Sequence, residues 1–217
     1  MIILSSSQSY KVVKYLLEHP STTQSKIAVE THVSIGLVNH VLKSLLEIGV
    51  CQRINWKRID VIDPLRLLET LSWSRVLQRL VKSTTRLQLS EVPKAERGID
   101  EVCKAHGIDY ALTTFSSLNH YQPYYITYPV IHTYTFEANR LKSLLPQGRG
   151  AVAVELLKPD LDVIMKDVRE LEGLRLVSPI QTVIDLFCFG EGGRNGAMKL
   201  LDQIRAQSTG VSTPAHG

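Results

Sequence analysis

Cysteine is scarce in this sequence, and the few cysteines it has exclude two kinds of site. Cys51, Cys103 and Cys188 are odd in number, widely separated and without CxxC spacing. A disulfide framework needs paired cysteines, and a common structural zinc site needs closely spaced ligands. The sequence therefore indicates neither, and each thiol is expected to pack as a small apolar side chain in a core.

Long apolar runs are also missing. A membrane-spanning helix needs about 20 consecutive apolar residues, and no run in the sequence approaches that length. The opening MIIL is too short for the apolar region of a signal peptide and has no basic segment before it. The chain is therefore expected to be cytoplasmic, with no membrane partner.

The spacing of the common catalytic and nucleotide-binding motifs is absent too. Ser, His and Asp all occur, but nothing resembles a nucleophile elbow. The glycine-rich segment 190–196 fits neither Walker nor dinucleotide spacing, so it is interpreted as a flexible loop between helices. We therefore expect no catalytic residue, no metal ligand and no cofactor.

What the sequence does contain is a pair of short helical patterns joined by a tight turn. The first covers residues 24–31, with Thr22 or Thr23 as its N-cap. The second covers residues 35–48, with Ser34 as its N-cap. The pair predicts a helix-turn-helix with the second helix as the recognition helix, and an ordinary antiparallel helix pair is the alternative.

The second helix has two unlike faces. Its apolar face follows the i, i+3, i+4, i+7 spacing and consists of Val38, Val41, Leu42 and Leu45. Its other face, together with the cap, carries Ser34, Gly36, Asn39, His40 and Lys43. That face has no acid before Glu47, so it can enter a major groove without charge repulsion. The turn has His32 where glycine is common, and His enters the left-handed region more readily than most residues.

Strand patterns after this helix predict a wing. Residues 50–54 and 59–62 alternate between apolar and polar, as half-buried strands do, and the tip between them is polar and basic. With the amphipathic segment 8–19 in front, the order of elements is that of a winged helix. The cations expected to contact phosphate or the minor groove are Arg53, Lys57 and Arg58. Such contacts set affinity more than sequence choice. Trp56, in the same tip, is expected to cover the core.

Charge is divided unevenly along the chain. Residues 1–90 hold 12 Lys and Arg against 6 Asp and Glu, whereas residues 91–217 hold 13 against 15. A basic N-terminal part followed by a slightly acidic remainder is typical of a DNA-binding module that carries a different second domain.

The remainder of the chain predicts a mixed second domain. Residues 64–83 are predicted as one connecting helix that begins at a Pro in position N1. Strand patterns occur at 84–89, 108–112, 124–136, 152–157, 161–165 and 174–177, and helical patterns at 93–106, 113–118, 137–145, 179–190 and 196–207. The predicted fold class is α+β: a winged helix-turn-helix over residues 1–63, the connecting helix, and a mixed α/β domain over residues 84–206 with a small, mostly antiparallel sheet. Residues 207–217 are expected to form a mobile tail.

One pair of carboxylates leaves an enzymatic alternative open. Asp160 and Asp162 stand two residues apart around the predicted strand 161–165, so they would share one side of it. Nucleotidyltransferases hold divalent metal ions with such a pair, but they also need a glycine–serine turn and a third carboxylate. The segment Phe115-Ser116-Ser117 lacks that glycine, and no third acid is clearly placed.

Several motifs of the second domain resemble a known family. These are Tyr110-Ala-Leu-Thr113, Ser178-Pro-Ile-Gln181 and the following Asp185-Leu186. With the preceding winged helix, residues 8–206 resemble the AbiEi-type antitoxins of type IV toxin–antitoxin systems, which are regulators of phage abortive infection. The sequence departs from the family pattern at Thr114, where the family tends to have glycine.

The resemblance implies a function for each domain. The winged helix would bind repeats in the protein's own promoter and repress it, and the C-terminal domain would be needed for antitoxicity. The implied partners are duplex DNA and a nucleotidyltransferase-like toxin without a stable complex, and a homodimer on DNA is left open. The family supplies no catalytic residues. The alternatives are a nucleotidyltransferase-like enzyme with a winged-helix substrate guide, and a solitary regulator that responds to a small effector.

Overall fold

The computed structural model describes residues 4–122 and 128–208. These residues form two compact units, one containing the chain up to Arg75 together with the chain from Met198 onward, the other containing Val76–Ala197. None of the described helices is both long enough and apolar enough to cross a membrane.

The first unit contains the predicted helix-turn-helix and wing. Its elements are α1 (Ser7–Glu18), β1 (Ser21–Thr23), α2 (Gln24–Thr31), α3 (Ile35–Glu47), β2 (Cys51–Arg53), β3 (Arg58–Val61) and α4 (Pro64–Ser74). The apolar face of α1 is fully buried at Val12, Val13, Leu16 and Leu17, because one side of a helix repeats every three to four residues. Thr23 is the N-cap of α2, its hydroxyl accepting the Lys26 N–H at 3.3 Å.

The wing belongs to a three-stranded sheet of order β1-β3-β2. Strand β3 pairs antiparallel with β2, Cys51 opposite Val61, and antiparallel with β1, Thr22 opposite Ile59. The strands of the wing were predicted, but β1 was not. Its three residues are too few for an alternating pattern to appear, and only pairing with β3 makes them a strand.

The predicted connecting helix over residues 64–83 is wrong in length. Helix α4 ends at Ser74, and a 3₁₀ turn at Leu77–Leu80 leads into strand β4 at Val81–Arg86. Arg75 at the break is buried, with its guanidinium 5.7 Å from the centre of the Tyr10 ring. The sequence beyond Ser74 still has a helical pattern, which is why a longer helix was predicted. Helix propensity is a weak local preference, and here tertiary packing and strand pairing override it.

The second unit is a mixed sheet with helices. After β4 come α5 (Val92–His106), β5 (Tyr110–Thr113), α6 (Thr114–Tyr121), β6 (Val130–Thr135), α7 (Ala138–Leu144), β7 (Ala153–Leu157), α8 (Asp162–Lys166), β8 (Arg169–Leu171), β9 (Leu174–Leu176), α9 (Pro179–Phe189) and α10 (Glu191–Ser208). Helix α10 begins in this unit, and its residues from Met198 onward belong to the first unit. Within the described residues the six strands take the order β4-β7-β6-β5-β9-β8. Three neighbouring pairs are antiparallel and two, β5 with β9 and β6 with β7, are parallel. The predicted α+β class is confirmed.

Two predicted segments of the second unit have a different structure, and strand β8 (Arg169–Leu171) was not predicted. The predicted strand 161–165 is instead helix α8, with Ile164 as its buried residue. The predicted loop 190–196 is helical from Glu191, and a β-carbon on Gly193 would collide with the carbonyl oxygen of Leu186. Glycine is needed there for the close approach of α9 and α10 rather than for a flexible loop.

The predicted tail lies mostly outside the described residues, which end at position 208. The first part of the predicted strand 124–136 also lies outside them, and the strand that the structure describes there is β6 at Val130–Thr135.

The motifs behind the family resemblance meet in one buried hydrogen-bond network. The Asp185 carboxylate accepts from the Thr113 hydroxyl at 2.7 Å, from the Tyr134 hydroxyl at 3.1 Å and from the Gln181 amide at 3.0 Å. All four residues are fully buried. These motif positions therefore stabilise the fold of the second unit and offer no exposed group to a partner.

Thr114, where the resembled family tends to have glycine, adopts a backbone angle that favours glycine. Its φ is +55°, an uncommon value for a β-branched residue. Its hydroxyl lies 2.9 Å from Nδ1 of the buried His132, whose Nε2 lies 3.3 Å from the Glu155 carboxylate. The hydrogen bond from His132 lowers the pKa of Glu155 despite partial burial. This hydrogen-bonded chain offsets part of the backbone strain at Thr114.

His120 gives the second unit a pH-dependent contribution to stability. Its Nε2 lies 3.2 Å from Glu96 and its Nδ1 lies 3.2 Å from Glu172. The hydrogen bond with Glu96 raises the His120 pKa above its ordinary 6.5, although burial opposes the shift. Because the pKa is raised on folding, this stabilisation is complete below the unfolded pKa and is lost as pH rises through the folded pKa.

We therefore expect the free energy of unfolding to fall as pH is raised from below 6.5 through the His120 pKa, and His120→Gln to flatten that slope. Urea unfolding followed by circular dichroism over a pH series measures it. The matched control is His106→Gln at an exposed position. An identical pH slope in wild type and His120→Gln would contradict the assignment.

Candidate nucleic-acid interface

The turn between α2 and α3 is held by its backbone. His32 has φ 54° and ψ 36°, the left-handed conformation for which glycine is the usual residue. The Val33 N–H donates to the Ala28 carbonyl at 3.2 Å, and the Val33 side chain is buried. The predicted role of His32 as a tolerated substitute for glycine is confirmed, and the turn fixes the direction in which α3 leaves α2.

The start of α3 is tied down by two side chains. The Ser34 hydroxyl accepts the Leu37 N–H at 3.4 Å, as an N-cap does. The Gln24 amide donates to the Ile35 carbonyl at 3.3 Å and so links the first turns of α2 and α3. A recognition helix needs this rigidity, because base readout depends on side chains held at a defined position in the groove.

The faces of α3 are arranged as predicted. Val38, Val41, Leu42 and Leu45 are fully buried. The predicted DNA-facing residues are all exposed: Ser34, Gly36, Asn39, His40 and Lys43. Four of them repeat at i, i+3, i+4 and i+7 and therefore share one side of the helix. Their contact with DNA stays a prediction, but the structure places them on one accessible surface.

Ile35 is a candidate contact that the sequence pattern conceals. Counted by helical spacing it joins the apolar face of Val38 and Leu42, so it would be assigned to the core. In the structure it is 52% exposed. A β-branched apolar side chain in the first turn of a recognition helix can contact the methyl group of thymine.

The tip of the wing is an ordered turn. The Asn55 side-chain oxygen accepts the Lys57 N–H at 2.9 Å and the Arg58 N–H at 2.8 Å. This Asx-type arrangement fixes the backbone of the tip. Arg53 and Lys57 are exposed on either side of the turn, so both can reach phosphate.

Arg58 has a structural contact in addition to its predicted role. Its Nε donates to the Ser21 hydroxyl at 2.7 Å and to the Asp60 carboxylate at 3.2 Å. It therefore links β1 to β3, while its side chain remains 55% exposed. Substituting Arg58 would change the pairing of β1 with β3 as well as any phosphate contact, whereas Arg53 and Lys57 contact Trp56 within the tip itself. Arg53 and Lys57 are therefore the better positions for testing the wing.

The expectation that Trp56 covers the core is wrong. Its side chain is 77% exposed at the tip of the wing, with the Lys57 ammonium 4.1 Å from the ring centre. Size and apolarity favoured burial, but a four-residue tip extends beyond the sheet and has no core beneath it.

The carboxylates of the enzymatic alternative do not have the predicted arrangement. Asp162 lies in the first turn of α8 and Asp160 precedes that helix, so the two do not alternate along a strand. Among the residues that the structure describes, no three His, Cys, Asp or Glu side chains are grouped to hold a metal ion. The geometry that motivated a metal-dependent nucleotidyltransferase is therefore not formed.

Comparison with known proteins identifies the first unit. A family model described as winged helix-turn-helix DNA-binding matches residues 7–50, from α1 through the recognition helix to the start of the wing. Neither the curated proteins nor the solved structures gave a match. The N-terminal part of the first unit is thus a winged helix-turn-helix domain, which suggests a DNA-binding regulator. The match does not extend to the second unit.

Proposed function

We propose that this protein is a transcriptional regulator that binds duplex DNA, with α3 in the major groove and the wing against the neighbouring backbone and minor groove. The observation that carries the proposal is the exposed face of α3. It joins Asn39, His40 and Lys43 on a helix whose start is fixed by the Ser34 cap and the Gln24 bond. Phosphate-binding cations on the wing give the affinity that such a helix alone lacks.

The proposal extends to the role implied by the family resemblance. On that basis the protein represses its own promoter, binding repeats as a homodimer, and acts as the antitoxin of a nucleotidyltransferase-like toxin without a stable complex. The proposal assigns no reaction to the chain itself. Since the motif residues Thr113, Gln181 and Asp185 are buried, neutralisation would depend on other, exposed residues of the second unit.

DNA binding is tested by fluorescence anisotropy with a labelled duplex from the protein's own upstream region and a scrambled duplex of equal composition. We expect affinity for the upstream duplex to exceed that for the scrambled one by about a thousandfold or more, and both affinities to fall steeply with salt. Equal affinity for the two duplexes, or a weak salt dependence, would count against a sequence-specific regulator.

Substituting Asn39 tests whether the exposed face of α3 points toward the bases of the major groove. An amide in the major groove can form a bidentate pair with adenine, which discriminates against a wrong base by about 1–3 kcal/mol. Asn39→Ala should therefore reduce the preference for the upstream duplex by roughly 5- to 100-fold while changing affinity for the scrambled duplex little. Asn139→Ala, at an exposed position of α7, is the control. An unchanged preference in Asn39→Ala would place that face away from the bases.

The antitoxin role is tested separately by co-expression with the product of the neighbouring gene. If that product is a nucleotidyltransferase-like toxin, the full chain should restore growth. A variant with Asn39→Ala and Lys43→Ala should restore it equally, because the resemblance places antitoxicity in the C-terminal domain. A neighbour of another class, or failed rescue, would favour the solitary regulator.

A further inference from the structure

The tip of the wing combines an exposed aromatic ring with cations. We call Ile54, Trp56 and Lys57 the wing-tip patch. Ile54 and Trp56 are both large apolar residues that the fold leaves exposed, and the Lys57 ammonium lies over the indole ring. A solvent-exposed tryptophan is uncommon, because the ring gains more free energy from burial than almost any other side chain.

The patch is held in place before any partner arrives. The Asn55 oxygen binds two backbone N–H groups of the turn, and Arg53 Nη1 lies 3.5 Å from the Trp56 carbonyl. The indole itself has only two rotatable side-chain bonds. Binding through a preformed tip loses little conformational entropy, so a contact made there contributes efficiently to affinity.

The charges of the tip indicate what kind of partner it fits. Lys57 lies over the ring, and Arg53 and Arg58 lie on the same hairpin. The nearest acid on the wing, Asp60, is already paired with Arg58. An apolar ring next to cations is complementary to a partner surface on which anions lie beside flat apolar walls. The minor groove of DNA has that form, with phosphates along its edges and deoxyribose walls about 6 Å apart.

We propose that Trp56 is a DNA-binding residue whose ring enters the minor groove and packs against its sugar walls. When the ring enters the groove, the Lys57 ammonium leaves the Trp56 ring and pairs with a DNA phosphate instead. Minor-groove proteins are known to insert apolar side chains into that groove, where they act as wedges between base steps. The inference rests on the proposed function, since it needs the wing to lie on duplex DNA, and it adds a contact that is uncharged and therefore insensitive to salt.

The chain offers a clean spectroscopic test. It contains two tryptophans, Trp56 and Trp73, and Trp73 is 80% exposed on α4. In a Trp73→Phe variant, all tryptophan emission comes from the wing tip. We expect the upstream duplex to reduce acrylamide quenching of Trp56 several-fold at the concentrations where labelled DNA shows binding by anisotropy.

Affinity gives the second readout. Trp56→Ala should weaken binding about tenfold, the order found when an aromatic contact with a base is removed, while leaving the salt slope unchanged. Trp56→Phe should recover part of the loss, and Trp73→Ala is the matched control. Netropsin, which occupies the minor groove, should remove the difference between wild type and Trp56→Ala.

The outcomes separate the two claims. If no duplex binds, the proposed function fails. If duplex DNA binds while Trp56 quenching is unchanged, or Trp56→Ala binds within twofold of wild type, the inference alone is wrong. A loss that persists in saturating netropsin would also overturn it, because the contact would then lie outside the minor groove. Circular dichroism confirms that each variant is folded.

Discussion

Replacing Asp185 with alanine should lower the free energy of unfolding by about 3–5 kcal/mol, because three buried donors lose their acceptor and each unpaired group costs about 1–3 kcal/mol. The donors are the Thr113 and Tyr134 hydroxyls and the Gln181 amide. They come from two strands and one helix, so the carboxylate joins elements far apart in sequence. A loss of this size is a large part of the roughly 5–15 kcal/mol that stabilises a domain.

Urea unfolding followed by circular dichroism measures this loss. Tryptophan fluorescence adds a separate signal, because both Trp56 and Trp73 belong to the first unit. The matched control is Asp109→Ala, which removes an exposed ion pair with Arg175 and should cost no more than about 1 kcal/mol. Equal small losses in the two variants would mean that the network is not a stabilising centre, and that the motif position has another role.

Removing two cations from the wing should weaken binding to every duplex alike. In the double variant Arg53→Gln with Lys57→Gln we expect affinity to fall roughly 10- to 100-fold at physiological salt, with the upstream-to-scrambled preference retained. The logarithmic salt slope should fall by about 2, since each phosphate contact contributes about 0.9. Anisotropy titrations with both duplexes over a range of salt concentrations measure all three quantities.

A second double variant separates local contacts from total charge. Lys94→Gln with Arg149→Gln also removes one lysine and one arginine, both exposed and both in the second unit. It leaves the same net charge as the wing variant. If both variants lose affinity equally, the wing makes no specific phosphate contact and only long-range attraction matters. A fall in preference rather than affinity in the wing variant would assign base readout to the wing.

The buried network also bears on where a partner could bind the second unit. Sequence motifs that resemble a family are easily taken for an interaction surface, yet Thr113, Gln181 and Asp185 are inaccessible. A substitution there would destabilise the second unit, so loss of the proposed antitoxin activity alone would be uninformative. Screens for the proposed neutralising surface should therefore use exposed positions and a folding control.

The helix-turn-helix was predictable because its signals are local. Helix periodicity, the Ser34 and Thr23 caps and the basic wing lie within a short segment, and each acts on its own neighbours. The left-handed turn at His32 was also readable, since few residues tolerate that angle and histidine is among them. The exposure of Asn39, His40 and Lys43 on α3 follows from the same helical period.

The positions that differed from prediction are those where distant residues decide. Helix α4 stops at Ser74 because Arg75 packs on Tyr10 and the chain beyond pairs with β7, and both contacts are remote in sequence. Segment 161–165 is apolar enough for either a strand or a helix, and periodicity cannot decide so short a run. Gly193 was assigned to a loop, but a glycine is needed there because a side chain would prevent the close approach of α9 and α10.

By itself, then, the sequence determined the N-terminal domain class, the recognition helix and the basic hairpin, because short-range periodicity and capping specify them. Only the tertiary structure decided the order of the six-stranded sheet, the burial of the motif residues around Asp185 and the exposure of Trp56. Each of these depends on which distant segments pack together and on whether a core lies beneath a given side chain. The local sequence pattern contains no information about long-range packing or about the presence of a core beneath a side chain.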